Sequence, residues 1–263
     1  MRTPRLLSAA VASLMAVQAV LGLLFEGQYR DAGWITATWY GNDWVTLVVA
    51  VPLLVVALTL ARQGSVRGFL LWVGLLGYDV YNYAYYLFGA ALNAFFPLYV
   101  VTWVLSAVTL VLVLSRTKVD VVAASLARST PVRAVGGYLI VVGLGLALVW
   151  LTMWAAYAFA GRATPIEPEA FKLVAALDLS MMVTALVLGG VLLWRRSRWG
   201  YVIAAIAGIQ SALYLTVLSV NAWVAIARGL ARAPGELPVW GTLALLTTAA
   251  MFVLLSHVRR EPA

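Results

Sequence analysis

Asp79, Asn82, Tyr86 and Asn93 follow one another at intervals of three, four and seven in GYDVYNYAYYLFGAALN, a spacing that stacks them on one face of a helix. A carboxylate in such a stripe can hold a proton or a cation, and its amide and phenol neighbours can orient a small solute. The stripe lies inside an apolar run, where an ionised side chain costs roughly 2.5 to 3.5 kcal/mol on insertion scales. That face must therefore look at protein, water or a ligand. A second stripe, Gln210, Tyr214 and Asn221, has spacings of four and seven. No Arg, Lys or His sits in the core of any apolar run, so Asp79 has no permanent countercharge and is expected to be protonated when empty or paired with a bound cation.

Two more acids enter apolar runs. Asp43 follows Gly41 and Asn42 and reads as a helix start, where a carboxylate caps free N–H groups and opposes the positive end of the dipole. Pro168 and Glu169 read as the first turn of another helix, which places Asp178 about nine residues inside it. Two such carboxylates at similar depth could bind a cation or hold a proton near an outer mouth. The neutral members of both stripes have a plainer explanation, since hydrogen bonds between membrane helices, worth about 0.6 kcal/mol each, require the same residue types.

Other chemistries are removed by counting. The chain has no Cys and one His, His257, so thiol chemistry, iron–sulfur ligation, a bis-histidine haem and a histidine-rich metal centre have no ligands. No nucleophile–base pair is readable, and Lys172 at a span end is no candidate for a mid-helix Schiff base. The expectation is a non-enzyme with no catalytic residues, no cofactor and no metal.

The elements that position these residues follow from composition. Of 263 residues, 64% are hydrophobic and 11% charged, far beyond what a soluble core can hide. Eight apolar stretches, at about 6–25, 44–61, 69–90, 96–115, 134–160, 173–194, 200–227 and 240–258, predict an all-α, polytopic bundle of eight membrane helices. The first is too long an apolar region for most signal peptides and lacks a small-residue cleavage site, so it reads as a span. With both termini inside, thirteen Lys and Arg fall on inner segments, among them Arg62, Arg67, Arg195, Arg196, Arg198 and Arg260. Only Arg30, Arg162, Lys172, Arg228 and Arg232 fall outside. This asymmetry predicts cytoplasmic termini in an inner (plasma) membrane, and it explains the net charge of +8 by anionic headgroups rather than nucleic acid.

An ordered internal match runs through the chain. Asp43 and Asp178 are 135 apart, each span ends in a basic turn, and the following Gly68 and Gly200 are 132 apart, which places a three-residue difference in the turn. In this register Asp79 meets Ser211 and Asn82 meets Tyr214. Four spans per copy predict parallel repeats about an axis along the membrane normal: residues 1–120, a cytoplasmic connector at 121–133, and 134–263.

Trp34, Trp39, Tyr40, Trp44, Trp194, Trp199 and Trp240 fall at span ends and read as aromatic-belt residues. Tyr78, Tyr81, Tyr83, Tyr85 and Tyr86 begin near mid-span and read equally as cavity walls or as helix contacts. The outer segments from Glu26 to Asn42 and from Gly161 to Lys172 are expected to cap an outward cavity or simply to connect spans, the first of them lying along the interface.

The segments GNDWVTLVVAVPLL, YNYAYYLFGAALNAFFPLYV and ALDLSMMV resemble those of bacterial multi-spanning membrane proteins, a resemblance that covers most of the chain and implies no activity. The reading that best joins the repeat to the buried acids is a transporter of a small cationic or polar solute or ion. Its candidate site residues are Asp79, Asn82, Tyr86, Asp43, Asp178, Gln210, Tyr214 and Asn221. A non-catalytic sensor or scaffold binding lipids or partner proteins, with or without assembly into an oligomer, accounts for the lack of motifs. A lipid-modifying enzyme is the weakest of the three. A transporter should open a polar cavity to Asp79, and a scaffold should bury it.

Overall fold

A computed structural model describes residues 1–230 and 235–259, apart from the side chain of Glu26; Arg232 and Arg260 thus lie outside the described residues. Nine helices are described: α1 Arg2–Leu24, α2 Gly33–Arg62, α3 Val66–Gly89, α4 Phe96–Leu114, α5 Val119–Ser125, α6 Val132–Ala160, α7 Pro168–Trp194, α8 Arg198–Ala227 and α9 Leu237–Ser256. Among the described residues the sole extended pairing is one antiparallel bridge between Leu126 and Val258.

Seven of these helices are both long and apolar enough to cross a membrane, which makes this a multi-pass membrane protein. They expose what lipid would cover: Val141, Leu148, Leu245 and Phe252 are each about 70% exposed. The long helix outside that set is α3, which holds the 69–90 stretch. Its 24 residues suffice in length, but five tyrosines, Asp79 and Asn82 lower its hydropathy. Such a helix tolerates polarity because protein surrounds it. α3 packs on α2, α4, α7 and α8, and α8, its most extensive neighbour, also touches α2, α7 and α9. These two form the centre, with α1 packed on α2 and α4, and α6 on α7 and α9.

The basic segments gather at one end. Arg5 donates to the carbonyl of Ala61 at 3.2 Å, Arg67 to that of Val258 at 2.6 Å, and Arg198 pairs with Asp120 of α5 at 2.7 Å. The N-terminal residues, both basic turns, the connector and the end of α9 therefore share a face.

The two basic turns share their backbone geometry. Gly64 at φ 87° and Arg196 at φ 54° occupy the left-handed position that closes a helix. The N–H of Ser65 then donates to Leu60 O at 3.1 Å, and the N–H of Ser197 to Leu192 O at 2.9 Å. A β-carbon on Gly68 would strike the backbone at Leu60 and Ala61, and one on Gly200 the backbone at Leu192 and Leu193. Every equivalent is 132 residues away, so the three-residue difference expected in the turn is not there; it lies between each Asp and its turn.

Both preceding helices also widen into one π turn, Thr46–Ala50 in α2 and Asp178–Val183 in α7. In α2 the cause is Pro52, which has no N–H to give the turn before it. In α7 the position 132 further on is Thr184, whose hydroxyl bonds Leu179 O at 3.2 Å.

Candidate ligand cavity and its carboxylates

The helix boundaries change the role of Asp43. α2 starts at Gly33, so most of the segment expected to lie along the interface forms the first turns of a span. Asp43 stands ten residues inside it as a buried side chain, not a cap. Its carboxylate accepts from Tyr29 at 2.6 Å, Tyr86 at 2.8 Å and Gln18 at 2.9 Å, while Tyr83 donates to Gln18 Oε1 at 2.9 Å. Hydrogen bonds of this kind tie α1, α2 and α3 to one another. Tyr29 lies outside the spans, and its burial, followed by the neighbouring Asp43, holds its phenol well above the ordinary 10.0.

Asp178 does lie ten residues inside a helix that starts at Pro168. Its Oδ1 accepts from Tyr81, and its Oδ2 from Trp150 Nε1 at 2.8 Å and from Tyr214 at 3.3 Å. Among the described residues neither Asp43 nor Asp178 has an ion-pair partner. Counted back from the left-handed residue of each turn, Asp43 is 21 positions away and Asp178 18. In the register of the turns Asp178 therefore stands opposite Thr46, not Asp43, and the two acids differ in depth by about one helical turn. The same separation sets Trp150 opposite Gln18: Gln18 donates an N–H to Asp43 and Trp150 one to Asp178.

A cavity of about 140 Å³ opens between the ends of α2, α3, α7 and α8 furthest from the basic turns. Twelve of its seventeen lining residues form pairs 132 apart: Trp34 with Ile166, Thr38 with Ala170, Asn42 with Val174, Asn82 with Tyr214, Tyr85 with Val217, and Gly89 with Asn221. Among the described residues no Asp, Glu, Lys, Arg or His lines it. Trp39 and Tyr85 form one wall with ring centroids 4.7 Å apart, and Tyr81 and Tyr214 meet edge to face at 5.1 Å. Trp39 is thus a buried wall residue, although its place near a span end suggested the belt; Trp44, about half exposed, lies eleven residues inside α2 and not at its end. Ile166 brings the second outer segment to this mouth.

The candidate residues divide among three places. Asn82, Tyr214 and Asn221 line the cavity, and Tyr81, which also lines it, holds Asp178 behind its wall. Asp43 and Tyr86 belong to the hydrogen-bonded cluster beside it. Asp79, one turn below Asn82, is fully buried, neither carboxylate oxygen has a partner, and it does not line the cavity. Gln210 is buried with its Nε2 unpaired and also stays outside. Asn93 is not part of the Asp79 stripe, because α3 ends at Gly89; its Oδ1 instead accepts the N–H of Phe95 at 2.8 Å, ahead of α4. Sequence reasoning missed Gln18, Trp150, Thr38 and Asn42. The signal that finds them is the uninterrupted separation of 132.

Comparison of the chain with protein-family models, with curated proteins and with solved structures found no match to any of them.

Proposed function

We propose that this is an eight-span carrier of a small solute, built from two parallel four-helix copies, with the cavity on the pseudo-two-fold axis as its binding chamber. α3 supplies the eighth span. Pairing of the cavity walls at a separation of 132 carries the reading, because a chamber lined by equivalent positions of two halves lies on their axis. The contact between α3 and α8 supports it in the same way. Gly74 lies against Ile209 and Gly77 against Ile206, and Gly41 against Asn221 and Gly89 against Leu173. In each set residue i meets the equivalent of j while j meets the equivalent of i, the signature of a two-fold contact. Parallel copies about an axis along the membrane normal are a carrier architecture whose solute site lies between the halves.

The site is lopsided. The first half contributes Trp34, Thr38, Asn42 and Tyr85 where the second contributes Ile166, Ala170, Val174 and Val217. That difference gives a symmetric frame an oriented ligand. The burial of Asp79 moves the proposed binding residues upward from Asp79 to Asn82 and its neighbours, and it also favours a second reading, a fixed sensor or scaffold.

Because the chain has no cysteine, Thr38→Cys and Asn82→Cys each place a single thiol in the chamber. A carrier exposes that thiol to a small membrane-impermeant reagent added on either side of sealed vesicles, at different rates. Reaction from neither side overturns the proposal, and reaction from one side assigns the chamber to a sensor.

A further inference from the structure

We infer that the axial cavity takes a small organic ammonium carrying an oxygen acceptor, an inference that rests on this cavity being a ligand site. Its size limits the occupant to the space of about five water molecules, well below a drug-sized pocket. Four aromatic side chains are among its lining: Trp39 packed on Tyr85, and Tyr81 edge to face with Tyr214. A cation that meets the face of such a ring is held by the ring quadrupole, most strongly where water is excluded.

Carboxylates stand one ring behind these walls. Asp178 accepts from both Tyr81 and Tyr214, and Asp31 accepts from the Trp39 indole N–H at 2.8 Å and from the N–H of Ala91 at 3.0 Å. A phenol or indole donating to an anion becomes richer in electron density on its face, which strengthens its hold on a cation. Asp178 has three hydrogen-bond donors and no cationic partner among the described residues, so a bound ammonium would supply the missing countercharge. Two basic groups at this end of the bundle are engaged: Lys172 pairs with Glu169 at 2.8 Å, and the Arg228 guanidinium lies over Tyr40 at 4.0 Å. The acceptor is called for by Asn82. That residue lines the cavity, is 3% exposed, and its Nδ2 has no hydrogen-bond partner. A hydroxyl or carbonyl oxygen on the ligand would receive it.

The test compares choline with 3,3-dimethyl-1-butanol, which keeps the shape and the hydroxyl but replaces the charged nitrogen by carbon. Binding to the full chain in lipid nanodiscs is read by tryptophan fluorescence and by calorimetry. Choline is expected to bind at least tenfold more tightly than the alcohol. Tyr85→Leu should weaken choline at least tenfold with little effect on the alcohol. Asp178→Asn should remove the preference, and Tyr81→Phe, which keeps the ring and loses the bond to Asp178, should reduce it if Asp178→Asn does not fold. Equal affinities overturn the inference and leave the chamber as a site for neutral solutes. Binding of neither probe also overturns it, and the thiol reactivity of Thr38→Cys then separates an accessible chamber of other specificity from a sealed one, which would end the carrier proposal as well.

Discussion

At the residue scale the carboxylates differ in what holds them. Asp43 is held by three donors from three segments, so deleting one leaves a buried acceptor short of a partner, a loss of about 1 to 3 kcal/mol. Tyr29→Phe is accordingly expected to lower the thermal unfolding midpoint in detergent at neutral pH. It should also change the alkaline limb. Burial, then the neighbouring Asp43, raises the folded phenol above 10.0, the value of the unfolded chain. The stability it contributes is therefore whole below pH 10 and is lost as pH rises above it, when the unfolded chain releases the proton first. Wild type should lose stability more steeply than Tyr29→Phe between pH 10 and 11. Parallel curves would contradict this assignment.

At the element scale the paired turns and the α3–α8 contact make opposite demands. Arg196 adopts in its turn the left-handed conformation that Gly64 adopts without strain. Arg196→Gly is expected to raise stability by about 0.5 to 1 kcal/mol and Gly64→Ala to lower it by about 1 kcal/mol, both read as shifts in unfolding midpoint. Between the central helices, a β-carbon on Gly77 would stand 2.7 Å from the Ile206 side chain. Gly77→Val should force the two helices apart at a cost of about 1 to 3 kcal/mol. Ile206→Ala should restore part of that loss, a coupling measurable in a double-mutant cycle. Simple addition of the two losses would place the glycine elsewhere than in the contact.

For the whole molecule, the gathering of Arg5, both basic turns, the α5 connector and the end of α9 on one face makes the charge asymmetry a property of the fold. With the positive-inside rule this face is expected to be cytoplasmic. Single cysteines at Ser65, Ser197 and Ser129 should all resist an impermeant thiol reagent in intact cells and react after permeabilisation. External labelling at both turns would invert the molecule, and a split between Ser65 and Ser197 would remove α3 as a span.

Hydrophobic run length and composition, which are local properties, determined from the sequence that this is a helical multi-pass membrane protein, and the polar stripes marked α3 and α8 as helices that must be shielded. The separation of 132 was legible from Gly68 and Gly200 onward, and it holds for the backbone turns, π turns and cavity walls; the pairing of Asp43 with Asp178 at 135 was not part of it, because residue type alone does not report on backbone position. What tertiary structure decided was which polar residues meet: Asp79, central in the sequence pattern, is sealed, while Thr38, Asn42 and Asn82 come together as walls. Helical periodicity gives the face on which a side chain lies but not what stands opposite. In a bundle that opposite surface belongs to a helix more than a hundred residues away, brought there by packing between small residues such as Gly74 and Gly77.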